Sequence, residues 1–99
     1  MKVKLNQPLK ELSGEVIKNG EKVFELKNAC VEALMVNNPK EEIDGNEKMG
    51  RYLLAMKIEK ANELDLKSEE IAKIKNLIGA VYGVLVVGQC FEMLEKEKK

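Results

Sequence analysis

Hydrophobic and polar positions alternate in Lys2-Val3-Lys4-Leu5, the period-two pattern of a short strand, until Pro8 and then Ser13-Gly14 interrupt it. In "GEVIKNGEKVFEL" (14–26), two runs with β-branched and apolar residues flank Asn19-Gly20, the favoured pair for a two-residue turn that needs positive φ at both positions. Such a turn sets Lys18 opposite Glu21 and Val16 opposite Val23. A hairpin alone is marginal, so a helix or a third strand is expected to cover its apolar face.

From Leu26 the period lengthens. Leu26, Cys30, Ala33 and Leu34 recur at helical spacing, which predicts a helix over 26–36 that stops at Asn37-Asn38-Pro39. Residues 40–48 read as a loop, with Asn46 as the cap of the next helix. Over 47–61, Met49, Tyr52, Leu53, Ala55 and Met56 fall on one face and Arg51, Lys57, Glu59 and Lys60 mostly outside it, which predicts an amphipathic helix with the first set inward. Residues 62–67 read as a linker, and Ser68 as an N-cap with Glu69 and Glu70 in the first turn.

The stretch "NLIGAVYGVLVVGQCF" (76–91) holds sixteen residues without a charge, shorter than the ~20 that cross a bilayer core. Val-Leu-Val-Val between glycines also suits a buried strand. Val84, Val87, Phe91 and Leu94 nevertheless continue a helical spacing, so a long helix from 69 is expected, bent or broken at Gly83, with Ile71, Ile74, Ile78 or Leu77, Val81 and Leu85 on its inner stripe. The fold class that follows is α+β, a single domain over 1–99. A short N-terminal β-hairpin packs on three or four helices, and the C-terminal helix is central.

Gly79, Ala80 and Gly83 form a low ridge on that helix, with Val87 and Phe91 continuing its face. Three readings stay open: packing within the chain, a seam between two copies, or a partner backbone resting there. The small-residue spacing is diagnostic only in lipid.

Composition narrows the function by exclusion. There are 17 basic and 17 acidic residues, evenly divided between the halves of the chain, so no long-range field of one sign gathers nucleic acid or an anionic membrane. Histidine is absent, which removes the commonest general base and metal ligand. Cys30 and Cys90, sixty residues apart, read as buried small hydrophobes kept reduced in a cytoplasmic protein. No glycine pattern fits a dinucleotide or phosphate loop, and no acidic spacing fits a calcium loop. The expectation is a non-enzyme without cofactor, metal, membrane or small-molecule substrate, acting through a protein partner or self-association. The alternative is a nucleic-acid-associated regulator using the helices in 48–82, with Arg51, Lys57, Lys60, Lys73 and Lys75 as contacts among interspersed acids. The C-terminal "EKEKK" (95–99) reads as a solvated helix end.

The layout of "KNACVEALM", "GRYLLAMKI" and "SEEIAKIKNLIGAVYGVLVVGQCFEML" resembles small uncharacterised proteins encoded by phages and prophages of Gram-positive bacteria, over about residues 13–95. The resemblance implies a phage-related setting and an interaction or regulatory role, and it brings no catalytic residue. This chain departs from that pattern at Glu25, where a better capping residue such as Thr is expected.

Overall fold

The computed structural model describes residues 1–36 and 40–95; the expected helix stop at 37–39 and the tail beyond 95 lie outside the described residues. The elements run β1 (Lys2–Lys4), β2 (Lys18–Asn19), β3 (Lys22–Val23), α1 (Leu26–Met35), α2 (Gly45–Glu59), β4 (Glu63–Asp65), α3 (Ser68–Val81) and α4 (Val84–Glu95). The α+β class follows directly.

The β2–β3 hairpin forms where the sequence places it, but its register moves. Lys18 pairs with Val23 and Asn19 with Lys22, so Gly20 and Glu21 make the turn. Gly20 has φ +71°, and no described non-glycine residue has positive φ. The turn therefore needs one left-handed position, filled by glycine at the first central place, as in the II′ hairpin class. Val16 is consequently not opposite Val23; it bridges to Lys10.

Tertiary hydrogen bonds explain the shift. The Leu9 N–H donates to the Phe24 carbonyl (2.9 Å), the Phe24 N–H to the Ile17 carbonyl (2.8 Å), and the Ile17 N–H to the Leu9 carbonyl (2.8 Å). Three passes of chain thus close a ring of backbone hydrogen bonds, satisfying groups that would otherwise be buried unpaired beside Leu9 and Phe24. The expected linker at 62–67 contains a strand. β4 pairs antiparallel with β1 through Lys2–Asp65, Val3–Leu64 and Lys4–Glu63. Glu63-Leu64-Asp65-Leu66 alternates as Lys2-Val3-Lys4-Leu5 does, so the strand signal was present in the stretch read as a linker.

Helix ends also differ from expectation by small steps. α2 begins at Gly45 because Asp44, not Asn46, is its cap; the Asp44 carboxylate accepts from the Glu47 N–H at 2.8 Å. Lys67 rather than Ser68 precedes α3, and the Glu70 side chain reaches back to accept from the Lys67 N–H at 2.8 Å. At α1, Glu25 is the cap residue, and its N–H donates to Asn28 Oδ1 at 2.8 Å.

The core joins Val3, Leu5, Leu9, Phe24 and Leu66 to the inner faces of the helices. α1 packs against each of the other three helices, and its predicted face of Leu26, Cys30, Ala33 and Leu34 is buried throughout. α1 thus lies at the centre of the packing, and the expected C-terminal helix, present as α3 and α4, contributes Ile74, Leu77, Ile78, Cys90 and Leu94 to the core. The uncharged stretch is two helices. Ile74 and Ile78 of the expected inner stripe are buried, whereas Val81 is exposed at the end of α3, where the chain turns away. Tyr82 is extended (φ −111°, ψ 164°) and ends α3, and the Gly83 carbonyl accepts the N–H of Val87 to begin α4. The Tyr82 ring lies 5.9 Å from that of Phe24, and its hydroxyl donates to Glu32 on α1, so the break is pinned from two other elements. No helix among the described residues is long and apolar enough to cross a membrane.

Candidate interaction face

α2 carries two apolar stripes. Arg51, Leu54, Ala55 and Ile58 are its buried residues. Met49, Tyr52, Leu53 and Met56 repeat a helical spacing on the opposite side; Met49, Tyr52 and Leu53 are 52%, 44% and 53% exposed, and Met56 is half-buried. The stripe expected inside therefore points outward, Ala55 excepted. The inner choice is set by fit. Buried Ala29 and Ala33 on α1 and Ala55 on α2 keep the packed surfaces low enough for a close helix pair, while Leu54 and Ile58 fill the core beside them.

Arg51 enters the buried set because its charge is fully engaged. Nη1 and Nη2 donate to the two oxygens of Glu41 (2.9 and 3.0 Å), and Nε donates to Glu47 Oε2 (2.8 Å). Lys73 Nζ donates to the other Glu47 oxygen at 3.3 Å, tying α3 into the network. Hydrogen bonds from Arg51 hold the Glu41 and Glu47 carboxyls below the usual range, assisted at Glu47 by Lys73, and the same bonds raise the guanidinium further above its own. The bidentate fork suits guanidinium, not ammonium.

The other cations proposed as nucleic-acid contacts are also engaged, with one exception. Lys57 pairs with Glu70 at 3.7 Å. Lys75 pairs with Glu95 and lies 4.9 Å from the centroid of the Phe91 ring. Lys60 is exposed at the end of α2. Arg51, Lys57, Lys73 and Lys75 thus face carboxylates of this chain, and they are spread over two helices rather than gathered on one strip.

The glycine ridge takes a different form from a close-packed seam. A Cβ placed on Gly79 would meet only Phe91 Cζ, at 3.8 Å, and one on Gly83 would meet nothing within 4 Å. Gly79, Ala80 and Gly83 are exposed, while Val87 and Phe91 are half-buried against the core. Among the described residues, no backbone of another element comes within 4 Å of where a Cβ would stand on Gly79 or Gly83. Val84, just past the break, is 91% exposed.

Cys30 and Cys90 are buried free thiols. Burial pushes Cys30 up to about 12, with the nearby Cys90 adding to it, and burial pushes Cys90 up to about 11. These are inert thiols at neutral pH, as the sequence implied. Among the described residues, no group of three histidine, cysteine or acidic side chains is placed to hold a metal ion.

Sequence reasoning found the outward stripe as a periodicity and misassigned its direction. It placed Glu59 outside the face and did not consider Lys48, which lies on the same flank of the stripe. Comparison with protein-family models, curated proteins and solved structures gives no match to this chain.

Proposed function

We propose that this chain is a small protein-binding or assembly module whose contact face is the outward stripe of α2. The observation that carries the reading is Met49, Tyr52 and Leu53 standing together in solvent, with Met56 at their edge, while the opposite side of the same helix seals the core. A contiguous apolar patch on a helix marks an interaction surface, and Tyr and Met are residue types enriched in such surfaces. The engagement of four candidate cations by carboxylates weighs against the nucleic-acid alternative, since a phosphate backbone needs unpaired positive charge. A phage or prophage setting is part of the proposal and rests on the layout of the sequence.

Photo-crosslinking tests the reading. Benzoylphenylalanine replaces Leu53 in the full chain, with Ala72, exposed on α3, as the control position. The expected result is a discrete protein adduct on irradiation in lysate from position 53 and none from position 72. Equal or absent labelling at both positions would remove α2 as the contact face.

A further inference from the structure

Resting on the reading of α2 as a contact face, we infer that its occupant is a second copy of this chain, laid antiparallel across the stripe with Tyr52 and Leu53 at the two-fold axis. The geometry comes from the helix itself. Successive residues turn by about 100° and rise ~1.5 Å, so Met49, Tyr52, Leu53 and Met56 form one narrow band over two turns. Antiparallel pairing about the middle of that band places Met49 opposite Met56 and Tyr52 opposite Leu53 of the second copy, and the reverse by symmetry. The surface is therefore complementary to itself, as an isologous interface requires.

Charge selects the same register. Lys48 and Glu59 both lie on one flank of the band, and neither side chain pairs with a described residue of its own chain. In an antiparallel helix pair like flanks meet. Lys48 of one copy then comes within about two residues, or ~3 Å along the axis, of Glu59 of the other, twice over and within reach of two long side chains. Opposed helix dipoles favour this direction over the parallel one. A patch of four side chains is at the lower end of specific interfaces, so the dimer dissociates on dilution.

Sedimentation equilibrium on the full chain over a range of concentrations tests the assembly. The expected behaviour is a reversible monomer–dimer equilibrium. Leu53→Glu yields a monomer with an unchanged circular dichroism spectrum and an unfolding midpoint equal to that of wild type diluted to the monomer, because Leu53 is half-exposed within the chain. Lys48→Glu and Glu59→Lys each weaken dimerisation by about three- to tenfold, and the double exchange restores it. Oxidative cross-linking fixes the direction. Met49→Cys alone gives no covalent dimer, since the two sulfurs stand about seven residues, or ~10 Å, apart along the axis. Met49→Cys combined with Met56→Cys gives one rapidly, and the buried native thiols do not compete.

Wild-type protein that stays monomeric at all concentrations, a covalent dimer from Met49→Cys alone, or a double charge exchange that fails to restore association would each overturn the inference. If the wild type is monomeric while position 53 still captures a different protein, self-pairing falls and the contact face stands. If position 53 captures nothing, both fall.

Discussion

Gln89 on α4 docks onto the backbone of Lys10 in both directions, its Oε1 accepting from the Lys10 N–H at 2.8 Å and its Nε2 donating to the Lys10 carbonyl at 2.7 Å. A side-chain amide thus takes the place of a neighbouring strand, joining residues 79 positions apart along the chain. The N-terminal β-layer and the C-terminal helical region are held together by this pair and by the contact of Phe24 with Tyr82.

Gln89→Ala removes both hydrogen bonds from a part-exposed site and is expected to cost about 1–2 kcal/mol. Hydrogen exchange at the Lys10 amide should accelerate selectively. An unchanged Lys10 exchange rate would show that the pair contributes nothing to docking. Gln89→Glu keeps the acceptor but sets a carboxylate against the Lys10 carbonyl, so it should destabilise at pH 7 and recover as the carboxyl is protonated.

Arg51→Met exchanges a buried guanidinium for an apolar side chain and leaves Glu41 and Glu47 without their main partner. Both carboxylates reach solvent, so the expected loss is moderate, about 1–2 kcal/mol in urea unfolding at pH 7. The folded carboxyls sit below their unfolded value of about 4.3, so the unfolded chain takes up protons first as pH falls. Their contribution is present above that value and lost on acidification through the folded range. With Arg51→Met in place, the midpoint should fall less steeply on acidification from about pH 5 to about pH 3 than in the wild type.

At alkaline pH the sign reverses in origin. The unfolded thiols ionise near about 8.5, whereas Cys90 holds its proton to about 11 and Cys30 to about 12. Tyr82 is likewise raised, by burial and then by its hydrogen bond to Glu32. The unfolded chain releases protons that the folded chain keeps, so stability is complete below the unfolded values and declines as pH rises past them. Thermal midpoints should drop from about pH 8.5 upward, and Tyr82→Phe should flatten the part of that slope above about pH 10. Alkylation at pH 8 should be slow for both cysteines in the native protein and fast in denaturant.

Two glycines should respond oppositely to alanine. Gly20→Ala forces a side chain into a φ of +71° and should cost about 1–2 kcal/mol, whereas Asn19→Ala, outside the positive-φ position, should be nearly neutral. Gly79→Ala sits inside α3 with only Phe91 Cζ at 3.8 Å, an ordinary contact, and should stabilise by about 0.5–1 kcal/mol. Chemical denaturation of the three variants separates these outcomes.

What the chain alone determined was local: the face of α1, the presence of a hairpin near Asn19-Gly20, a helix over about 47–61 and another from 69 interrupted at Gly83, and two thiols suited to a core. Periodicity and turn chemistry act over a few residues, so they are readable in order along the sequence. Tertiary structure decided the rest. A stripe at helical spacing says that a helix has an apolar side, but α2 has two, and only the low surface of α1 and the engagement of Arg51 by Glu41 and Glu47 turn Leu54, Ala55 and Ile58 inward. β4 exists because Val3 lies across from Leu64, the hairpin register because Leu9, Ile17 and Phe24 close a ring, and the break expected at Gly83 is fixed at Tyr82 because Phe24 and Glu32 hold its ring and hydroxyl. Each depends on a partner distant in sequence, whose position no local pattern specifies.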